Sequence, residues 1–97
     1  MAIYRNDVVT FERECKDTSG NLFDPDSHSI KFYKPNGTQY GSEITNPTQQ
    51  STGVYRYVFT VPSDADYGVW WVTWATTRTT PLDTKTIIEH FIVEEKK

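Results

Sequence analysis

The chain has a single cysteine, Cys15, among 97 residues. It can form no internal disulfide, and no zinc site built on cysteines is available to it. The fold must therefore be held by packing alone. Leucine and alanine are scarce as well: Leu22 and Leu82, with Ala2, Ala65 and Ala75. Val, Ile and Thr together number 28. β-branched side chains lose rotamer freedom in a helix and fit a pleated surface, so an all-β chain is expected before any periodicity is considered. No segment approaches the ~20 apolar residues that a membrane-crossing helix needs. The opening stretch Met1 to Asp7 lacks the apolar core of a secretory signal, which points to synthesis in a cytoplasm. There is no basic surplus either: ten Lys and Arg stand against thirteen Asp and Glu, for a net charge of −3. Such a balance does not attract a phosphate backbone, and nucleic acid is not an expected partner. The five glycines stand singly at turns, so no glycine-rich phosphate loop exists.

What the chain does have is one repeated grammar, short β-branched and aromatic runs between turn signals. Val54 to Val61 alternates as a strand, Pro62 to Gly68 reads as a corner, and Val69 to Trp74 alternates again. Before them, Asp7 to Lys16 reads as a half-buried strand, with Val9, Phe11 and Cys15 on one face and Arg13 interrupting it. Asp17-Thr18-Ser19-Gly20-Asn21 is a turn by composition. Leu22-Phe23 is a short apolar pair, broken by Asp24-Pro25-Asp26-Ser27. His28 to Lys34 is the next strand, with Ile30 and Phe32 inward. Lys34-Pro35-Asn36-Gly37-Thr38 is expected to make a tight hairpin, its Asn-Gly supplying the positive φ of a two-residue loop. Gln39 to Ile44 is poorly patterned and is expected at a sheet edge. Asn46 to Gly53 reads as a polar loop, and Thr76 to Thr84 as a threonine-rich connection. Lys85 to Val93 is the last strand, with Ile87, Phe91 and Val93 on one side and Ile88, His90 and Ile92 on the other. Glu94 to Lys97 is a charged tail.

About seven short strands at this spacing predict one domain, residues 1–97, an antiparallel β-sandwich of immunoglobulin-like type. The expected core is Phe11, Ile30, Phe32, Tyr57, Phe59, Trp70, Val72, Trp74, Phe91 and Val93. Cys15 is expected to be a buried small hydrophobe. Trp71 falls out of phase with Trp70 and Trp74. It either packs under a loop or stands exposed as a contact residue.

Candidate chemistry is thin. Asp24 with Asp26 and Asp64 with Asp66 are paired carboxylates, but all four fall in turn-like segments, where aspartate caps backbone groups. Oxygen-rich loops of this kind are also what a calcium ion binds, although no EF-hand spacing is present. His28 and His90 are the only histidines, and a zinc site would need a third ligand that the sequence does not offer. No serine sits in a nucleophile elbow. Tyr40, Tyr55, Tyr67 and Trp71 could form an aromatic platform for a sugar. No catalytic residue, cofactor or metal is expected.

The ordered set Tyr4-Arg5-Asn6-Asp7, Asp17-Thr18-Ser19-Gly20-Asn21, Asp24, Lys34-Pro35-Asn36-Gly37-Thr38, Gly53-Val54-Tyr55 and Gly68-Val69-Trp70 resembles the immunoglobulin-like domains of tailed-bacteriophage structural proteins. It is similar to the N-terminal domain of phage baseplate upper proteins, and the likeness spans nearly the whole chain. The resemblance implies a non-enzymatic virion component, made in the host cytoplasm and bound to capsid, neck or tail proteins in repeated copies. A capsid decoration or neck and head–tail accessory role is the leading expectation. The alternatives are a carbohydrate- or cell-surface-binding module, and a tail or baseplate accessory. An open sandwich has edge strands whose backbone groups a neighbour could pair. The N-terminal segment with Ile3 and Tyr4, the Gln39–Ile44 strand with Tyr40, and Trp71 are the expected partner-binding residues.

Overall fold

A computed structural model describes residues 3–79 and 82–95 and is all-β. Seven strands form two antiparallel sheets: β1 (Val8–Glu14), β2 (Ser27–Tyr33), β3 (Gln39–Ile44), β4 (Thr48–Ser51), β5 (Val54–Thr60), β6 (Gly68–Thr79) and β7 (Leu82–Val93). One sheet has the order β1-β5-β4 and the other β3-β2-β6-β7. The molecule measures 48 × 24 × 20 Å. The long dimension suits β6 and β7, whose twelve residues each span roughly 40 Å at the rise of an antiparallel strand.

Alternation places the core between the sheets. Phe11 from β1 and Tyr55 and Phe59 from β5 face Ile30 and Phe32 from β2, Trp70, Val72 and Trp74 from β6, and Phe91 and Val93 from β7. The central contact is a stacked pair across the two sheets: Phe59 and Phe32 have ring centroids 4.1 Å apart at 14°. Phe11 meets Phe32 edge-on at 5.7 Å, and Trp70 stacks on Phe91 at 6.0 Å. Buried aromatics of this kind contribute about 2–3 kcal/mol each through area alone. Cys15 is buried, as expected. Tyr57 is only half-buried but packs against the core, its ring 6.0 Å from that of Phe32. Ile3, Tyr55, Val61 and Ala65 join the core beyond the expected set; Tyr55 and Val61 lie on the same alternating face as Phe59.

Three local expectations need correction. The apolar pair Leu22-Phe23, needed to make up the seven expected strands, is no strand; among the described residues an isolated bridge joins Lys16 to Leu22. The polar segment Asn46 to Gly53 instead contains β4, an edge strand exposed along its length, which pattern analysis reads as loop because nothing on it is apolar. The threonine-rich stretch is not a long connection either. β6 runs on to Thr79 and β7 begins at Leu82, in unbroken register from Gly68↔Val93 to Thr79↔Leu82. Thr80 and Pro81, which the sequence reading placed in that connection, lie outside the described residues.

The Lys34–Thr38 hairpin also differs in kind. Gly37 donates to the Lys34 carbonyl at 2.9 Å and Lys34 to the Thr38 carbonyl at 2.8 Å. Only Gly37, not Asn36, has positive φ. This is a three-residue loop, a type I turn closed by a glycine bulge, and Pro35 with its fixed φ suits the first corner position.

Candidate protein-interaction face

The larger sheet has one face against the core and one against water. In an antiparallel sandwich the outer face is normally polar. Here it carries an apolar stripe. On β6 the outward positions are Val69, Trp71 and Thr73; their partners on β7 are Ile92, His90 and Ile88. On the other side Tyr33 and Lys31 of β2 stand opposite Trp71 and Thr73. Trp71 is 44% exposed, Ile92 44% and Ile88 65%. The Trp71 and His90 rings sit 5.4 Å apart at 50°. Tyr33, Trp71 and His90 thus form a cross-strand row, with Val69–Ile92 on one side and Thr73–Ile88 on the other. Polar groups border it: Lys31, Gln39, and Ser29 donating to Glu43.

Of the residues named from sequence, Trp71 is the one this face displays. Tyr40 is half-buried and packs edge-on to Phe59 at 6.0 Å and Trp70 at 5.5 Å, so it seals the core beneath β3. Tyr4 is half-buried, its amide bonded to Asp7 Oδ2 at 2.9 Å. Ile3 is a correction. It is 6% exposed, its amide donates to the Ile92 carbonyl at 3.3 Å, and its carbonyl accepts from Glu94 at 2.8 Å. The N-terminal segment therefore spends its apolar side chain and its backbone groups on the end of β7, not on a partner. Ala2 lies outside the described residues. Sequence reasoning passed over Ile88 and Ile92. The available signal was that β7 is apolar on both faces, although only one can meet the core.

The other candidates resolve into structure. Asp24 Oδ1 accepts from the Gly53 amide, the Tyr55 hydroxyl and Gln49 Nε2 at 2.8, 3.1 and 2.8 Å. Asp26 Oδ2 accepts from the amide and hydroxyl of Thr79 at 2.7 and 2.8 Å. Their carboxyls are held below the usual range, first by those backbone N–H groups. His28 accepts at Nδ1 from Trp74 Nε1 at 3.1 Å and lies 4.2 Å from the Tyr55 ring. His90 is on the opposite face of the same sheet, so the two histidines do not meet. No group of three or more His, Cys, Asp or Glu side chains among the described residues could hold a metal. The aromatic platform is not assembled: Tyr55 faces the interior and Tyr40 the core rim, while Tyr67 is exposed with the Arg5 guanidinium over its ring at 4.3 Å.

A slot of about 540 Å³ opens between β1 and β7, the adjoining edges of the two sheets. Arg13 crosses it. Its guanidinium is buried and donates to the carbonyls of Trp74 and Lys85. Cys15 also lines the slot, and burial pushes its thiol up, away from the reactive thiolate.

No family model matches this chain, and neither a curated protein nor a solved structure matches it.

Proposed function

We propose that this chain is a non-catalytic structural module of a tailed-phage particle. It docks on another virion protein through the outer face of β6 and β7. One observation carries the docking role: Trp71, Ile88 and Ile92 stand together on the solvent side of a sheet whose opposite side already supplies the core. Leaving a tryptophan and two isoleucines adjacent and wet forgoes burial worth roughly 25 cal/mol per Å², which a partner would recover. An aromatic anchor inside an aliphatic ring with a polar rim is the composition of an interaction hot spot.

The phage assignment rests on the resemblance of the turn motifs. The strand order supports its immunoglobulin-like part. With β1 lettered B and the rest in sequence, the sheets become B-E-D and C′-C-F-G, the order of that sandwich with its extra C′ strand. Capsid decoration or a neck position is the proposed location, and a virion protein the proposed partner.

The test is electron microscopy of the particle incubated with purified protein. Wild type is expected at a fixed, symmetry-related position on the shell or neck. Trp71→Ala, with an unchanged circular dichroism spectrum, is expected to leave that position empty. Decoration by Trp71→Ala at wild-type occupancy would overturn the docking face, and absence of wild type from every particle position would overturn the virion role.

A further inference from the structure

The two sheets have four edges, and three are guarded. β3 carries a register shift between Ile30 and Phe32 and a positive φ at Gly41. β4 has four residues and a shift of its own. β1 points a buried charge inward at Arg13 and exposes Glu12 and Glu14. Bulges, short length and inward charges are the devices that keep an edge from pairing with another chain. β7 has twelve residues and no register break. Among the described residues, Ile3 covers only its end. The bonds Ile3 makes to Ile92 and Glu94 show that even-numbered residues turn their backbone away from β6. The same alternation aims the amides and carbonyls of Thr84, Thr86, Ile88 and His90 at the open edge.

The geometry points to a second copy of this chain as the occupant of that edge: we propose a two-fold dimer in which β7 pairs antiparallel with β7, centred on Ile87. Charge selects both the occupant and the register. Lys85 and Glu89 lie on the same face of β7, two residues either side of Ile87, and both are exposed. Antiparallel pairing about Ile87 sets Lys85 of each copy opposite Glu89 of the other, at positions where side chains of facing residues meet. Thr86 then exchanges backbone bonds with Ile88, and Thr84 with His90. The neighbouring registers are worse. Centring on Thr86 opposes Asp83 and Glu89, centring on Lys85 or Glu89 opposes like charges, and centring on Ile88 sets Lys85 against Phe91. The inward-facing charges that would guard the edge against strangers thus admit one self-complementary alignment, as an isologous contact requires. Lys85 has a donor to spare: its ammonium bonds the Lys16 carbonyl at 3.0 Å and lies 3.6 Å from Asp83. The pairing merges two four-stranded sheets into one of eight strands and makes the Trp71–Ile88–Ile92 stripes of both copies continuous. It uses backbone groups and charges that the outer-face docking role does not, so either can hold without the other.

Sedimentation equilibrium of the full 97-residue chain and four charge variants tests this. Wild type is expected to dimerise. Glu89→Lys and Lys85→Glu, each placing two like pairs in the interface, are expected to raise the dimer dissociation constant by roughly 100-fold or more. The double variant Lys85→Glu with Glu89→Lys swaps the pair and is expected to dimerise again, and an equimolar mixture of the two single variants to form a heterodimer. A monomeric wild type at ~100 μM, or single variants that dimerise as wild type does, overturns the proposal. So does a double variant that stays monomeric while its circular dichroism matches wild type.

Discussion

Asp24 Oδ1 lies 2.8 Å from the amide nitrogen of Gly53, 29 residues further along the chain. The same oxygen takes the Tyr55 hydroxyl at 3.1 Å. One carboxylate thus ties the β1–β2 connection to the start of β5. Its ionised form is the one these donors favour.

That preference sets an acid limb. The ordinary value for Asp24 is 3.8, and its folded value is lower. A depressed carboxylate contributes stability above its unfolded pKa and loses it as pH falls through the folded one. The Asp24 contribution to thermal stability should therefore be constant above about pH 5 and be lost below about pH 4. Asp24→Asn keeps an acceptor but no charge. It should melt lower at pH 7 and show a shallower decline between pH 4 and 2. An equally steep acid limb in the variant would exclude Asp24 as a contributor.

The other partner in the contact is a glycine for a steric reason. Gly53 has φ +72°, and a Cβ there would sit 3.0 Å from the Cys15 carbonyl, Leu22 Cβ and Phe23 nitrogen. Gly53→Ala should cost about 2–4 kcal/mol, adding left-handed strain to overpacking. Gly20, with φ +84° and nothing within 4 Å, meets only the strain. Gly20→Ala should cost about 1–2 kcal/mol. Urea melts that rank the two equally would rule out the packing component.

Arg13 is 7% exposed and bridges the slot to the carbonyls of Trp74 and Lys85. Its planar fork reaches both acceptors, while a lysine ammonium offers one point of contact. Arg13→Ala should lose about 2–3 kcal/mol, from charged hydrogen bonds and from the packing of its stem. Arg13→Lys should recover less than half of that. Full recovery by lysine, measured as urea midpoint at constant slope, would mean that charge rather than geometry matters at this position.

These contacts mark where sequence reading succeeds and where it stops. Period-two alternation is a local property, so the inward faces of β1, β2, β5 and β6 could be read from Phe11, Ile30, Phe32, Phe59, Trp70, Val72 and Trp74. The Asp17 and Gly37 turns were legible for the same reason. β4 was not, because an edge strand with neither face buried carries no alternation, and its backbone bonds to β5 leave no trace in side-chain type. Arg13 broke the β1 pattern as a charge among apolar residues; the carbonyls that satisfy it are 61 and 72 residues away. Ile3 was misjudged as an open edge because its parallel bridge to Val93 joins the two ends of the chain. Trp71 was legible as out of phase, whereas the stripe around it depends on the β6–β7 register.

Trp71→Ala should leave the fold intact. The side chain is 44% exposed, and its cross-strand neighbours Tyr33 and His90 contribute ~0.2–1 kcal/mol. A melting temperature within about 5 °C of wild type is expected. A larger drop would assign Trp71 to the stability of the sheet rather than to contact with a partner.

His28 gives a second pH window, distinct from the acid limb. Its Nδ1 accepts the Trp74 indole N–H, so the proton of the neutral ring is on Nε2. Burial holds its folded pKa below the ordinary 6.5; Arg13 works in the same direction and Asp24 against it. A base with a depressed folded pKa is protonated more readily when unfolded. Stability is therefore full above about pH 6.5 and declines as pH falls from there through the folded value. Protonation also turns Nδ1 from acceptor to donor, which sets it against the indole N–H. Melts of wild type should drop between pH 7 and pH 5, before any aspartate titrates. His28→Gln retains an acceptor without a titration and should be level across that interval. A His28→Gln variant that keeps the wild-type slope between pH 7 and pH 5 would remove His28 as its source.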